Sequence, residues 1–201
     1  MIAIIDYDAG NLKSVEKAFA ALGQESVVTG DRREILAADR VVLPGVGSFG
    51  TAMRQLKKYE LDKVICEAAD AGKPFLGICL GLQLLFAGSE ECGGVEGLHL
   101  LEGEILRIPE GPGLKIPHIG WNSLELKNDG RLFAGIAQTP YVYFVHSYYL
   151  AAGQPEIVKA ETEYGVHIHA SVECGNIFAC QFHPEKSSSV GLQILKNFAE
   201  L

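Results

Sequence analysis

One short segment, residues 75–86, constrains the fold more than any other part of the chain. An apolar run typical of a β-strand leads into Gly77-x-Cys79-x-Gly81, and a leucine-rich run typical of a helix follows directly. This is the thiol version of the G-x-S-x-G elbow, in which a sharp strand-to-helix turn holds a nucleophile above a sheet. Small residues are needed on both sides because larger ones would collide where the chain doubles back. The pattern predicts a reactive thiol stabilised by the helix N-terminus, although a buried core cysteine is the simpler alternative.

The first half of the chain predicts an α/β fold with a doubly wound, parallel sheet. Short apolar runs typical of buried strands alternate with segments that have helical spacing. We expect Asn11 to cap the first helix and Gly23 to end it. The predicted strands are residues 2–5, 26–29, 40–43 and 75–78, and a further helix is expected at residues 61–71.

The second half changes character and predicts an antiparallel extension of the same sheet. Its strand candidates are separated by turns and contain little helix, which makes the sheet mixed but mostly parallel. An amphipathic helix is expected at residues 190–198. No linker or repeat divides the sequence, so we expect a single domain over residues 1–201. The strand candidates are residues 103–108, 123–126, 141–145, 157–162, 167–172 and 177–182.

Composition excludes several classes of protein. A net charge of −8 argues against a nucleic-acid or anionic-membrane surface, because either needs a positive footprint. The longest uncharged apolar stretch, residues 74–89, is too short to span a bilayer, and the N-terminus has no leader pattern. The five cysteines are irregularly spaced without a C-x-x-C pair, which predicts free thiols, no structural zinc and a cytoplasmic location.

A thiolate needs a base, and the base needs a group that orients it. Residues 181–185, Gln-Phe-His-Pro-Glu, follow the last apolar strand. Glu185 can hold one ring nitrogen of His183 while the other nitrogen faces the thiol. Such pairs are common on solvated surfaces, but this one and Cys79 both stand at the C-terminal ends of predicted strands, where open α/β sheets build their sites.

A glycine-rich loop also follows a strand directly, at residues 43–50. It lacks the G-K-[ST] ending of a phosphate-binding loop. Glycines let backbone N–H groups approach a ligand closely, so the N–H of Val46 or Gly47 is expected to join that of Leu80 in an oxyanion hole. An ordinary glycine-rich turn is the alternative.

Together the three motifs resemble the class I, or triad, glutamine amidotransferases, which implies a flavodoxin-like sheet and neither cofactor nor metal. Within that family the sequence is similar to the glutaminase subunits of imidazole glycerol phosphate synthase, and the similarity covers essentially the whole chain. Asp8 departs from that pattern, since this subfamily more often has glycine there. The segments that carry the second resemblance are residues 5–11, 44–50, 117–122 and 143–148.

The resemblance implies the role of each site residue. Cys79 would attack the side-chain carboxamide of L-glutamine and form a glutamyl thioester, His183 would shuttle the proton, and Glu185 would orient His183. The residues expected to bind glutamine are Gly45, Gln83, Glu91, Ser147 and Tyr148.

Each binding residue also has a simpler explanation. Gln83 could be a solvated helix residue, although its leucine neighbours argue against that. Glu91 lies in a run that reads Ser-Glu-Glu and could be a surface acid. Ser147 and Tyr148 could belong to the end of a core strand.

The resemblance also implies a partner in a heterodimer, a (β/α)₈-barrel cyclase that receives the ammonia in histidine biosynthesis. Asn11, His118, Trp121 and Lys186 would lie toward it. A buried core position is the alternative for Trp121, the only tryptophan. We expect weak glutaminase activity without the partner, because the loop amide can be turned away until the partner and its ligand bind.

The sequence also fits three other functions. Amidotransferase subunits for pyridoxal phosphate, purine, anthranilate or GMP synthesis share the triad but not segments 117–122 and 143–148. A non-catalytic scaffold of the same fold would need no triad. A cysteine hydrolase acting on peptides or glutamyl conjugates is the third, and Gln83 together with loop 44–50 favours free glutamine over those substrates.

Overall fold

The computed structural model describes residues 1–8, 10–127 and 129–201, which form twelve strands, six α-helices and three short 3₁₀ turns. The strands are β1 (Ile2–Ile5), β2 (Ser26–Thr29), β3 (Arg40–Gly45), β4 (Phe75–Cys79), β5 (Gly103–Arg107), β6 (His118–Ser123), β7 (Glu125–Leu126), β8 (Tyr141–His146), β9 (Tyr148–Ala152), β10 (Val158–Glu163), β11 (His167–Cys174) and β12 (Ile177–Cys180). The helices are α1 (Leu12–Ala21), α2 (Arg32–Ala37), α3 (Phe49–Lys58), α4 (Leu61–Asp70), α5 (Leu80–Leu84) and α6 (Ser188–Ala199).

The main sheet has eight strands in the order β2-β1-β3-β4-β12-β11-β10-β7. The first five are parallel to their neighbours, and the remaining pairs are antiparallel. The parallel part has the strand order of flavodoxin-like folds, with β12 in the fifth place. Both the doubly wound sheet and its antiparallel extension are therefore confirmed.

Residues on β1 alternate between two hydrophobic cores, one on each face of the sheet. Ala3 and Ile5 pack with the layer that contains α3 and α4, whereas Ile2 and Ile4 pack with α1 and α6. All four side chains are buried. Helices cover both faces of the sheet at this strand. This burial on both faces explains why the N-terminal strand is apolar at every position.

Several elements differ from the sequence prediction. The expected strand at residues 123–126 is two strands, since β6 ends at Ser123 and pairs with β8, while β7 pairs with β10. Strands β6 and β9 and helices α2 and α3 were not predicted. Strand β9 pairs with β5, which gives the fold two additional two-stranded sheets. No helix in the described ranges is long and apolar enough to cross a membrane.

The turn after β1 also corrects one prediction. Asn11 precedes α1, but its side chain makes no capping hydrogen bond and its φ is 72°. Its amide instead donates to Glu185. Asp8 has a φ of 65°, in the left-handed region that glycine adopts without penalty. Gly23, with a φ of 71°, ends α1 as expected.

Candidate active site

Cys79 occupies a strained backbone position between β4 and α5. Its φ of 55° and ψ of −107° are unusual for a residue with a side chain, as a nucleophile elbow requires. A Cβ at Gly77 would lie 2.8 Å from the Gly81 carbonyl oxygen, and one at Gly81 would lie 1.9 Å from that of Leu43. The prediction that both glycines are needed is confirmed. Because α5 has only five residues, its dipole is weak and neighbouring side chains must stabilise the thiolate.

Three neighbouring parallel strands bring the three sequence motifs to one edge of the sheet. Gly45, the last residue of β3, pairs with Cys79 on β4. On the other side of β4, Cys180 of β12 pairs with Ile78. The chain then reaches His183 three residues after β12 ends. The glycine-rich loop, the elbow and the Gln-Phe-His-Pro-Glu corner therefore meet as the topology predicts.

His183 and Glu185 form a buried pair beside Cys79. Nδ1 of His183 lies 2.8 Å from Oε1 of Glu185, whose side chain is completely buried. The same oxygen accepts a hydrogen bond of 2.5 Å from the Asn11 amide. Burial by itself lowers the pKa of His183, but its hydrogen bonds to Cys79 and Glu185, together with their charges, raise it to about 10. The imidazole therefore holds a proton at neutral pH.

A cavity of about 300 Å³ opens beside Cys79. It contains most of the residues predicted to form the site. It also contains Pro117, Val145 and His146, which belong to segments 117–122 and 143–148 but were assigned no role from the sequence. The full lining is Val46, Gly47, Cys79, Leu80, Gln83, Glu91, Pro117, Val145, His146, Ser147, Tyr148, His183 and Lys186.

Gln83 and Glu91 both have specific contacts at this cavity. Gln83 is only 5% exposed, which excludes a solvated position, and its amide nitrogen donates to the Tyr148 carbonyl at 3.0 Å. Oε2 of Glu91 accepts a hydrogen bond of 2.7 Å from the N–H of Phe49, the first residue of α3. Glu91 is thus held at a helix N-terminus, which fixes its position, rather than being free in solvent.

Several predicted residues lie outside the cavity lining. Gly45 is buried in β3, where a Cβ would lie 2.7 Å from Oη of Tyr7 and 2.9 Å from Cβ of Leu80. Asn11 reaches the site only through Glu185. His118 is buried, whereas Trp121 is 53% exposed. Trp121 is therefore not a core aromatic.

Tyr7 is a neighbour of the site that the sequence analysis missed. Its buried hydroxyl donates a hydrogen bond of 2.9 Å to the carbonyl of Pro44 at the base of the glycine-rich loop. Burial, and then the charge of Cys79, raise the pKa of Tyr7 above its ordinary value, so the phenol stays protonated and remains a donor. The sequence signal for this contact was the position of Tyr7, two residues after β1. Strand β1 pairs with β3, which leads into the glycine-rich loop.

Residues 1–8, 10–127 and 129–201 contain no group of three or more His, Cys, Asp or Glu side chains placed to hold a metal ion. The polar groups around the cavity instead comprise a thiol, a protonated imidazole, an amide and a carboxylate. Such a set can attack a carbonyl carbon, protonate a leaving group and bind a small zwitterion.

Comparison with known proteins places this geometry in context. A family model described as glutamine amidotransferase class-I matches residues 3–201. A protein of Moorella thermoacetica named imidazole glycerol phosphate synthase subunit HisH is 54% identical over 200 residues, which cover 100% of this chain and 94% of that protein. A protein of the same name from Methanothermobacter thermautotrophicus is 51% identical over 201 residues, covering 100% and 98%.

Solved structures with much lower identity share the fold. A glutamine amidotransferase structure superposes with a TM-score of 0.77 at 18% identity and covers all of both chains. The glutaminase domain of the Trypanosoma brucei protein named CTPS, with bound acivicin, has a TM-score of 0.68 at 17% identity, covering 99% of this chain and 93% of that one.

Proposed function

The chain belongs to the class-I glutamine amidotransferase family, and from that premise we propose that it is the glutaminase subunit of an imidazole glycerol phosphate synthase. It hydrolyses L-glutamine to glutamate and ammonia and passes the ammonia to a cyclase subunit in histidine biosynthesis. The names of relatives at 54% and 51% identity support the pathway. The observation that carries the chemistry is the meeting of Cys79 with the buried His183–Glu185 pair at the cavity.

The reaction begins when Sγ of Cys79 attacks the carbonyl carbon of the glutamine side chain. We assign the N–H groups of Leu80 and of Val46 or Gly47 to the oxyanion, because all three residues line the cavity with Cys79. Collapse of the tetrahedral intermediate breaks the C–N bond, and His183 gives its proton to the leaving nitrogen. Ammonia departs and a glutamyl thioester remains on Cys79.

Water completes the cycle. It attacks the thioester carbon while His183 takes its proton, glutamate leaves, and the thiolate on Cys79 is restored opposite a protonated imidazole. Glu185 holds Nδ1 of His183 at 2.8 Å throughout, which keeps the other ring nitrogen aimed at the reacting atoms. A pKa of His183 near 10 means that the proton needed by the leaving group is already in place at neutral pH.

Other residues of the same cavity hold the amino-acid end of glutamine. The nitrogen of the Gln83 amide is used by other protein groups, so its oxygen remains to accept from the substrate ammonium. The Glu91 carboxylate pairs with the same ammonium, and Ser147 and Tyr148 complete the wall. Gly45 contributes indirectly, because its missing side chain lets the loop pack against the elbow.

The partner surface we propose is the outer face of the β6–β8 ribbon. Ile119, Trp121 and Tyr141 expose 59%, 53% and 59% of their surface on it. Such a group of large apolar residues is unusual on a monomer surface and typical of a protein contact. Lys186 lines the neighbouring cavity. We propose that a (β/α)₈-barrel cyclase docks here, and that the reaction takes place in the cytoplasm, which fits five free cysteines.

Glutamate release from glutamine tests the proposal. The full chain is assayed alone and then with the cyclase subunit and its nucleotide substrate. We expect low activity alone, strong stimulation in the mixture, and activity at background in Cys79→Ala. The matched control is Cys174→Ala, which removes an exposed thiol and is expected to leave the rate unchanged.

Other outcomes would redirect the assignment. Equal activity with and without the cyclase would support the glutaminase chemistry but contradict the histidine pathway. Capture of a synthase from another pathway would assign the chain to that pathway instead. Absence of activity under every condition, from folded protein that an electrophilic glutamine analogue does not label at Cys79, would favour a scaffold.

A further inference from the structure

Two buried amide side chains connect the glutamine cavity to the nucleophile. Gln83 lines the cavity, whereas Gln181 does not and is completely buried. Gln181 lies directly after β12, one residue beyond Cys180, and its backbone N–H donates to the Ala170 carbonyl. Its side chain therefore has a fixed place, behind Cys79 and away from solvent.

The hydrogen-bond partners determine which way each amide faces. The carbonyl of Tyr148 can only accept, so the Gln83 atom 3.0 Å from it must be the nitrogen. The same nitrogen lies 3.1 Å from the Gln181 side chain, so the Gln181 atom that meets it must be the oxygen. The nitrogen of Gln181 is then left facing Sγ of Cys79, at 3.7 Å. The Tyr148 carbonyl thus fixes the orientation of the Gln83 amide. Gln83 in turn fixes the Gln181 amide with its N–H group facing the sulfur.

We propose that Gln181 is a catalytic residue that donates an N–H···S hydrogen bond to the Cys79 thiolate, with Gln83 positioning it. This inference rests on the proposed glutaminase function for its role in turnover. Reversing the Gln181 amide would place its nitrogen against the Gln83 nitrogen, two donors, and its oxygen against the sulfur, two acceptors. The arrangement is therefore self-consistent in one orientation only.

The surroundings of the sulfur explain why such a donor is needed. Sγ of Cys79 also lies 3.7 Å from the carbonyl oxygen of Val145, an acceptor that favours the protonated thiol. The residue is 6% exposed, so water contributes little to stabilising a negative charge. The imidazole of His183 and the amide of Gln181 are the groups that oppose this carbonyl, and only the imidazole must later give up its proton. Gln181 donates throughout the cycle.

Alkylation of Cys79 as a function of pH tests the proposal without glutamine or partner. The full chain is treated with iodoacetamide, and mass spectrometry follows the peptide that contains Cys79. We expect Gln181→Met, which keeps the length of the side chain but has no donor, to move the midpoint of the pH profile upwards by about one pH unit. Gln181→Glu, which places a carboxylate against the sulfur, should move it further. The control Gln193→Met, on α6, should not move it.

Steady-state kinetics in the complex separate this role from a packing role. Loss of a bond to the reacting sulfur should lower kcat about tenfold in Gln181→Met and leave KM nearly unchanged. A KM effect with an unaltered alkylation profile would overturn the proposal. Should Gln181→Met not fold, an NMR pH titration of the wild-type chain decides. The chemical shifts of the Gln181 side-chain amide should change with pH at the same midpoint as Cys79 alkylation, and this change should be absent in Cys79→Ala. Gln181 amide resonances that change neither with pH near that midpoint nor on Cys79→Ala substitution would also overturn the proposal.

The outcomes distinguish this inference from the proposed function. A wild-type chain that lacks glutaminase activity but whose alkylation profile shifts in Gln181→Met would refute the function and keep the N–H···S bond. An active wild-type complex, together with identical alkylation profiles for wild type and Gln181→Met, would keep the function and refute the N–H···S bond.

Discussion

His118 and His146 face each other across the paired strands β6 and β8, with Nδ1 of His118 3.0 Å from Nε2 of His146. Nδ1 of His146 lies 2.9 Å from the Tyr148 carbonyl and must donate to it. Nε2 of His146 is therefore the acceptor and Nδ1 of His118 the donor, so His146 is neutral. Burial lowers the pKa of His118 to about 4. Burial lowers the pKa of His146 to about 3 despite its hydrogen bond to the Tyr148 carbonyl, and repulsion from protonated His118 or His183 lowers it further.

We expect the free energy of unfolding to fall as pH decreases from about 6.5 to 4. The unfolded chain protonates both histidines near 6.5, whereas the folded chain does so only near 4 and 3, so acid favours unfolding by at most about 1.4 kcal/mol per pH unit for each histidine. His118→Phe keeps the stacking on Tyr164, whose ring centroid is 3.8 Å away, and removes one of these protons. Urea titrations at several pH values should show a shallower dependence.

The control for this experiment is His99→Asn, which removes an exposed histidine at a left-handed position that asparagine tolerates. His183 does not interfere, because with a pKa near 10 it is protonated in both states below about 6.5. Its own contribution to stability is present below 6.5 and is lost as pH rises toward 10. An unchanged slope in His118→Phe would contradict a neutral buried pair.

Asn11 is expected to act on catalysis through Glu185. Asn11→Asp places a second carboxylate 2.5 Å from Oε1 of Glu185, so one of the two must take up a proton and the hold on His183 weakens. We expect kcat to fall more than about tenfold, and less in Asn11→Gly, which tolerates the φ of 72° and adds no charge. Equal losses of kcat, accompanied by equal losses of affinity for the cyclase, would instead assign Asn11 to the partner interface.

Tyr7 and Gly45 should be energetically coupled. Tyr7→Phe leaves the buried carbonyl of Pro44 without its donor and is expected to cost about 1–2 kcal/mol of stability. Gly45→Ala brings a Cβ to 2.7 Å from the Tyr7 hydroxyl and should cost more. Because Tyr7→Phe removes the atom that the new Cβ meets, the double variant should be less destabilised than the sum of the single ones. Strict additivity in urea unfolding would show that the clash with Leu80 dominates.

The sequence patterns predicted the parallel half of the fold better than the rest, for physical reasons. Strands such as β1 are apolar at every position because helices cover both faces, so they are recognisable alone. Strand β6 was missed because its apolar residues Ile119 and Trp121 point to solvent, which reverses the expected alternation. Helix α3 was missed because it begins within a glycine-rich run, although Ala52, Met53 and Leu56 carry a helical spacing.

Within the candidate site, geometry set by residues close together in the sequence was predictable, whereas contacts between residues far apart in the sequence were not. The elbow glycines and the spacing of His183 and Glu185 follow from local chain geometry. The contacts of Gln181 and Tyr7 join residues 102 and 37 positions apart, and no local pattern reports them. Asn11 shows the same limit: a residue type that often caps helices was instead recruited by a carboxylate 174 positions away.

Trp121 provides a direct test of the docking surface. It is the only tryptophan in the chain and half of its side chain meets solvent, so the intrinsic fluorescence should shift to shorter wavelength when a cyclase free of tryptophan covers it. Trp121→Ala should leave the free energy of unfolding almost unchanged and weaken the complex by at least about tenfold, as for a large aromatic at an interface. Leu201→Ala, two residues beyond the end of α6, is the matched apolar control and should bind normally. A spectrum unchanged by saturating cyclase would place the partner on another face.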